Sequence, residues 1–196
     1  NVYGDFLNEG SISGDGEDTG VHLTAEMFNG DVTNDGIIES AYNALRLDFG
    51  TFDGSFSNTS TIAGGSNGAI LALGSMTGDF TNSGSIGGES GDGVSITVGT
   101  WGSDEDLAAI LNAVEGVISG GEDGFELAAE ELFASLANDG SITGGQNGVV
   151  MMLGSAQGGF TNTGSITGTY GDGVSITAEN WGAAESRADI FNSSTG

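Results

Sequence analysis

Apolar residues in this chain return at fixed places in a phrase that the sequence keeps repeating. The phrase is F-x-N-x-G-x-I-x-G, then Asn or Asp followed by Gly, then two apolar residues flanking a variable one. It recurs about every 24 to 32 residues. Residues 78–103 (GDFTNSGSIGGESGDGVSITVGTWGS) return as 158–183 (GGFTNTGSITGTYGDGVSITAENWGA), a repeat distance of 80. Periods in this range mark stacked supersecondary units. Apolar–polar alternation over such short stretches, bounded by Gly and Asn, predicts short strands with one buried face.

Alignment on the Ile and the turn Gly gives seven coils and the start of an eighth, beginning near Gly4, Gly30, Gly54, Gly78, Ala108, Ser135, Gly158 and Arg187. The expected fold is an all-β, right-handed parallel β-helix (β-solenoid). It has about seven coils of 23–32 residues and an 80-residue three-coil superrepeat, with 1–196 as a single domain. One inward column holds Phe6, Val32, Phe56, Phe80, Leu136 and Phe160. A second is Ile in every complete coil, from Ile12 to Ile166. Pairs such as Val21 and Leu23, or Val94 and Ile96, follow the turn, and the residue between them (His22, Arg46, Ser95, Glu126) points outward.

Equivalent strands stack in parallel about 4.8 Å apart, so seven coils give a core on the order of 35 Å long. The right hand follows from the strong preference of parallel crossovers. The chain has no Pro, which suits a backbone whose N–H groups bond to the next coil. Residues 121–139 (GEDGFELAAEELFASLAND) carry a helix-like composition. They align with strand-like 45–58 (LRLDFGTFDGSFSN) one unit earlier and are read as strand.

Two polar ladders are predicted at the corners. Asn8, Asn34, Asn58, Asn82, Asn138 and Asn162 share a column, which the fifth coil breaks: Val114 falls in it and Asn112 lies two residues early. Stacked amides of this kind bond up and down the column. Asn67, Asp92, Asp123, Asn147 and Asp172 precede the turn Gly, where a residue that tolerates the left-handed conformation is expected. Residues 99–108 and 179–188 lengthen their coils at one corner, and each stretch begins around a Trp. Solenoid insertions map to loops, often on a binding face. Trp101 and Trp181 are therefore candidate recognition-loop residues, against the plainer reading that each ring folds back over its corner.

Composition narrows the partners. Twenty-eight acidic residues against two Arg and no Lys give a formal net charge of −26. Such a surface repels nucleic acid and anionic membranes. There is no Cys for a disulfide, a thiolate metal site or a cysteine nucleophile. No apolar run reaches membrane-spanning length and no signal peptide is recognisable. Asn1 enters directly into the repeat and Phe191-Asn192 opens a further coil. The expectation is a segment of a longer rod, or a subunit that stacks head to tail on its own copies.

The phrases FTNSGSIGG…DGVSIT and FSNTSTIAGGSNGAILAL resemble the passenger regions of bacterial autotransporters and related secreted adhesins, over essentially the whole chain. The resemblance implies a right-handed parallel β-helix displayed outside the cell, secreted or on a bacterial surface. The family's C-terminal membrane barrel has no counterpart in this sequence. Its passengers include adhesins, enzymes and stalks, so function has to be argued from sites.

Three chemistries compete. Acidic Gly-rich turns at 14–20, 88–93, 120–124 and 169–173 offer the oxygen ligands that calcium prefers, which makes Asp92, Asp123 and Asp172 candidate calcium ligands. Against that, GGSNG and GGQNG at the same corner suit Asp as a mere turn residue, and neither the calcium β-roll repeat nor EF-hand spacing is matched. Carbohydrate cleavage would draw on Asp104, Glu105, Asp106, Glu130 and Glu131. No Lys accompanies them, and the one His lies mid-strand. Ice binding would use Thr24, Thr97 and Thr177, but Asp48, Ala72, Ala128 and Met152 interrupt that column. The favoured reading is a non-enzymatic extracellular spacer, fibre or adhesin segment. It would bind itself, a surface glycan or a protein receptor; the alternative is a carbohydrate-binding or carbohydrate-cleaving β-helix.

Overall fold

Each repeat of the phrase folds into three strands separated by corners. In the computed structural model, which describes residues 1–16, 18–182 and 189–192, the third coil shows the pattern plainly. A short strand Phe56–Asn58 is followed by Thr61–Gly64 and then by the long strand Ala69–Met76. Every strand pairs in parallel with its equivalent one coil on, in about seven turns, and no helix occurs among the described residues. The chain is a parallel β-solenoid. The strands of the Thr61–Gly64 type form a seven-stranded sheet. The short and long faces merge into one of 15 strands, because Phe125–Asn138 runs through the corner and serves both. The segment of helix-like composition is thus the longest strand in the molecule.

Burial follows the predicted columns. Ile12, Ile38, Ile62, Ile86, Ile118, Ile142 and Ile166 stand in one register, and the five central members are buried. β-Branched side chains pack well on such a pleated surface, and each buried Ile contributes about 1.5–3 kcal/mol. The short face stacks Phe6, Val32, Phe56, Phe80, Ile110, Leu136 and Phe160; the Phe56 and Phe80 rings lie parallel with centroids 4.8 Å apart.

The long face adds two inward columns beyond the predicted pair. One contains Phe49, Leu73, Val98 and Leu153, and the other Phe28, Phe52, Met76, Trp101, Leu132 and Ala156.

The fifth coil departs from expectation. Asn112, not Val114, stands in the Asn column, between Asn82 and Asn138. Val114 is 77% exposed, and Ala113-Val114-Glu115 bulges out in a turn closed by Gly116 N–H donating to the Ala113 carbonyl. The physical reason is that a buried amide with two amide neighbours holds its place, whereas an extra pair of residues finds room only at a corner.

The ladder then runs unbroken. Each Asn Nδ2 donates to the Oδ1 of the next, from Asn8 to Asn192, in seven bonds of 2.7–2.8 Å. The second amide hydrogen reaches a backbone carbonyl, as from Asn82 to Gly84 at 3.2 Å. No buried side-chain polar atom among the described residues lacks a partner.

The turn Gly stands where a Cβ would clash, as expected, but the residue before it is there for a different reason. No described non-Gly residue has positive φ, so Asn and Asp are not there for the left-handed conformation. A Cβ on Gly93 would lie 2.6 Å from the Gly124 carbonyl oxygen and 2.9 Å from Cγ2 of Ile118. The Gly is required because the corner of one coil sits against the Ile column of the next.

Candidate functional site

Three places carry polar chemistry, and each grows out of a column of the repeat. The first is the turn column Asn43, Asn67, Asp92, Asp123, Asn147, Asp172. Each of the first five accepts through Oδ1 from the backbone N–H of its successor: Asn67 N–H to Asn43 at 3.4 Å, Asp92 N–H to Asn67 at 2.8 Å, Asp123 N–H to Asp92 at 3.1 Å, Asn147 N–H to Asp123 at 3.0 Å, Asp172 N–H to Asn147 at 2.8 Å. Asn147 adds a side-chain bond, Nδ2 to Asp123 Oδ1 at 2.9 Å. This is turn chemistry, with Asp and Asn doing the same work.

The three candidate calcium ligands therefore sit one above another, each held by backbone. They do not converge on a common centre: no group of three or more His, Asp or Glu among the described residues is arranged to hold a metal. Asp92 is the odd member. Burial pushes its carboxyl up to about 6 against the pull of the Asp123 N–H, and Glu126, Asp123 and Glu122 push it further.

The second place is the corner of the two Trp residues. Trp101 ends the strand Val94–Trp101, is fully buried, and pairs in register with Met76 and Leu132. Its Nε1–H donates to the Gly78 carbonyl at 2.9 Å. Trp181 repeats this with the Gly158 carbonyl at 3.1 Å and packs, partly buried, against the core.

Of the two readings for Trp101, the ring folded back over its corner is the one that its burial matches, and it is not an exposed recognition residue. A corner column that is already apolar takes the ring inward, and the following Gly102, at φ +75°, starts the true loop. That loop is acidic and exposed, with Ser103 and Asp106 closing it through reciprocal backbone bonds of 3.1 and 3.2 Å. The equivalent stretch 183–188 lies outside the described residues. An apolar residue four positions before the next coil's first inward residue (Phe28, Phe52, Met76, Leu132) was the sequence signal for this column.

The third place is a cluster on the outward side of the long face that sequence reasoning missed. His22 had no visible partner, yet register sets it beside Arg46 and sets Thr24 beside Asp48. His22 Nε2 lies 2.6 Å from Asp48 Oδ2, and Arg46 Nε donates to the same oxygen at 2.8 Å. The Arg46 hydrogen bond holds the Asp48 carboxyl below its usual range, and Asp48 in turn raises the Arg46 guanidinium. Thr24 Oγ1 lies 3.1 Å from that same Nε2. A catalytic relay uses both ring nitrogens, one for the orienting acid and one for the nucleophile. Here both contacts fall on one nitrogen, so the relay geometry is missing, and the ion pair of the cluster is Arg46 with Asp48.

The remaining acidic candidates are exposed. Asp104, Glu105 and Asp106 lie in the loop after Gly102, and Glu130 and Glu131 on the outer side of the long face. Glu131 accepts only a long bond from Thr100 Oγ1, at 3.5 Å. An open trough of about 680 Å³ runs across several coils beside the Ile sheet, floored by Gly64, Gly65, Gly87 and Gly88 with Glu39 and Glu89 at its margin.

Comparison with family models, with curated proteins and with solved structures returned no match.

Proposed function

We propose that this chain is a non-enzymatic structural module, a rod segment of an extracellular fibre, spacer or adhesin. The observation that carries the reading is the unbroken Asn ladder. Seven amide–amide bonds, six of them buried, run from Asn8 to Asn192 without a gap at any described coil. A rod needs coil-to-coil continuity, and the sequence places its most costly polar groups where they secure it. The outward faces carry many hydroxyl, amide and acidic residues with scattered apolar ones such as Leu7 and Met152, and the strongest charge cluster is built on the Arg46–Asp48 ion pair rather than a converging site.

The ladder also has a direction, with donors towards the C-terminal coil and acceptors towards the N-terminal one. A further coil of the same phrase, from this chain or another copy, fits either end in the same register.

The test is removal in the native setting. Deleting one 80-residue unit should shorten the fibre or stalk by about 14 Å, three coils of about 4.8 Å. Surface labelling of intact cells should reach the segment. A segment that proves to be cytoplasmic would overturn the reading.

The trough beside Gly64 and Gly88 favours a second reading, a carbohydrate-binding β-helix, since a flat glycine floor with carboxylates at its edge admits a sugar chain. Titration of neutral and basic oligosaccharides by calorimetry separates the two. Saturable binding lost on Gly87→Trp would favour the second.

A further inference from the structure

The turn ladder contains one step unlike the others. From Asn43 to Asn67 and from Asp123 to Asn147, the later residue donates twice to the earlier Oδ1, once from the backbone N–H and once from the side-chain amide. From Asp92 to Asp123 both side chains are carboxylates. Only the backbone bond of 3.1 Å remains, and the place of the amide hydrogen is taken by a second negative charge. The surroundings deepen the defect. Nine of the 28 acidic residues fall within 102–133, which holds no Lys, Arg or His. Glu126 faces the fourth coil through Ser95, whose Oγ donates to it at 3.1 Å, and its charge adds to those acting on Asp92. Asp92 itself is half-buried, where screening by water is weak.

We propose that the junction of the fourth and fifth coils is a built-in yield point of the solenoid, the place where the rod opens first, set by the Asp92–Asp123 pair and tightened by screening cations. Elsewhere the turn column contributes two bonds or one bond without a facing like charge. Here it contributes one bond against a repulsion. Local opening starts where the local free energy is smallest. Because each coil contacts only its neighbours, a weak interface stays local instead of lowering the whole rod evenly. The inference concerns where the solenoid opens and stands whether or not the proposed function does.

The experiment uses the full chain and exploits the fact that Asn already occupies this position in other coils, so the variants keep the fold. Asp123→Asn supplies the missing amide hydrogen and removes the repulsion. Asp92→Asn also removes the repulsion. Each should raise Tm by about 2–4 °C. The double variant should gain less than the sum, because one repulsion is relieved only once. Asp172→Asn, with no facing carboxylate, should gain less than either.

In the unsubstituted protein, hydrogen exchange should be faster at the Val94 and Asp123 amides than at their equivalents Leu45 and Asn67. Added NaCl should slow it, and Asp123→Asn should abolish the difference. Strictly additive Tm gains, an equal gain from Asp172→Asn, or equal protection at the two junctions would each overturn the proposal.

Discussion

The side-chain amide of Asn82 donates to that of Asn112 at 2.8 Å across a 30-residue step, the same bond that Asn34 makes to Asn58 across 24 residues. Coil length varies while ladder geometry does not. The extra residues are expelled at corners, into the loop after Trp101 and the bulge at Val114, so the buried amides set the register and the outside absorbs the difference.

The ladder should therefore be a major determinant of stability. Asn82→Ala removes the acceptor of Asn58 and the donor to Asn112, leaving one buried amide hydrogen of Asn58 and the buried Oδ1 of Asn112 unpaired. Each orphaned buried group costs about 1–3 kcal/mol. A loss of several kcal/mol in urea unfolding is expected for Asn82→Ala, and less than 1 kcal/mol, roughly, for the outward Thr81→Ala. Equal midpoints for the two would show that the amide stack contributes nothing.

Trp101 should behave as core. Trp101→Ala empties a fully buried site and loses the bond to Gly78, so a destabilisation of about 3–5 kcal/mol is expected. Tyr170, 92% exposed, serves as the comparison, and Tyr170→Ala should leave the unfolding curve in place. A Trp101→Ala protein of unchanged stability would mean that the ring lies outside the core.

The fold was legible in the sequence because each coil repeats the same packing problem. One Ile per complete coil in a fixed inward column, and Gly at the turn, are what recurs, so the columns could be aligned without coordinates. What escaped reading lies where the repeat bends and at outward positions of the long face.

Asn112 was displaced in the alignment because counting from the Ile column assumes a fixed corner, and the fifth coil enlarges that corner. Trp101 was assigned to a loop because its coil lengthens just after it. The His22–Asp48 bond depends on cross-coil register at outward positions, where the residues vary from coil to coil and no column announces itself. The turn residues were placed correctly, but for a conformational reason that the φ angles do not bear out.

Gly93 offers a direct check on that reason. Since its role is close approach rather than positive φ, Gly93→Ala should push against Ile118 and the Gly124 carbonyl and cost about 1–3 kcal/mol. At Gly87, on the outer side of the Ile sheet, the nearest atom to an added Cβ is Ser119 Oγ at 3.3 Å, a side chain free to turn. Gly87→Ala should be nearly neutral. Equal effects at the two positions would contradict the packing account.

Stability should also depend on pH in two opposed ways. The Asp92 carboxyl is raised from 3.8 to about 6, so in that window the folded chain holds a proton that the unfolded chain has released. Its penalty is full above about pH 6 and disappears as pH falls through the window, so acidification stabilises. Asp48 is lowered by Arg46, and its contribution is present above 3.8 and lost as pH falls through its folded value. Thermal melts from about pH 7 downward should therefore rise to a maximum and then fall. General relief of the −26 charge adds to the rise, and Asp92→Asn isolates the local part. Parallel curves for Asp92→Asn and the parent between pH 6 and 3.8 would remove Asp92 from the account.

The sharpest consequence of the fixed ladder concerns a deletion. Removing Val114 and Glu115 leaves Asn112-Ala113-Gly116-Val117-Ile118, the same spacing as Asn82-Ser83-Gly84-Ser85-Ile86. The step from Asn112 to Asn138 would drop from 26 residues to the 24 found between Asn34 and Asn58. Asn112 Nδ2 now donates to the Gly116 carbonyl at 3.1 Å, as Asn82 does to Gly84 at 3.2 Å, so the shortened corner has a working precedent one coil earlier. The deletion also removes one exposed apolar side chain and one carboxylate. The deleted protein should fold, with a Tm at or above that of the parent. Removing Ile110 and Leu111 instead takes away a buried side chain and two of the five residues of the strand Ala108–Asn112, and should lower Tm sharply. If both deletions are tolerated alike, the ladder does not set the register; if both abolish folding, the bulge is part of the coil and not an excursion from it.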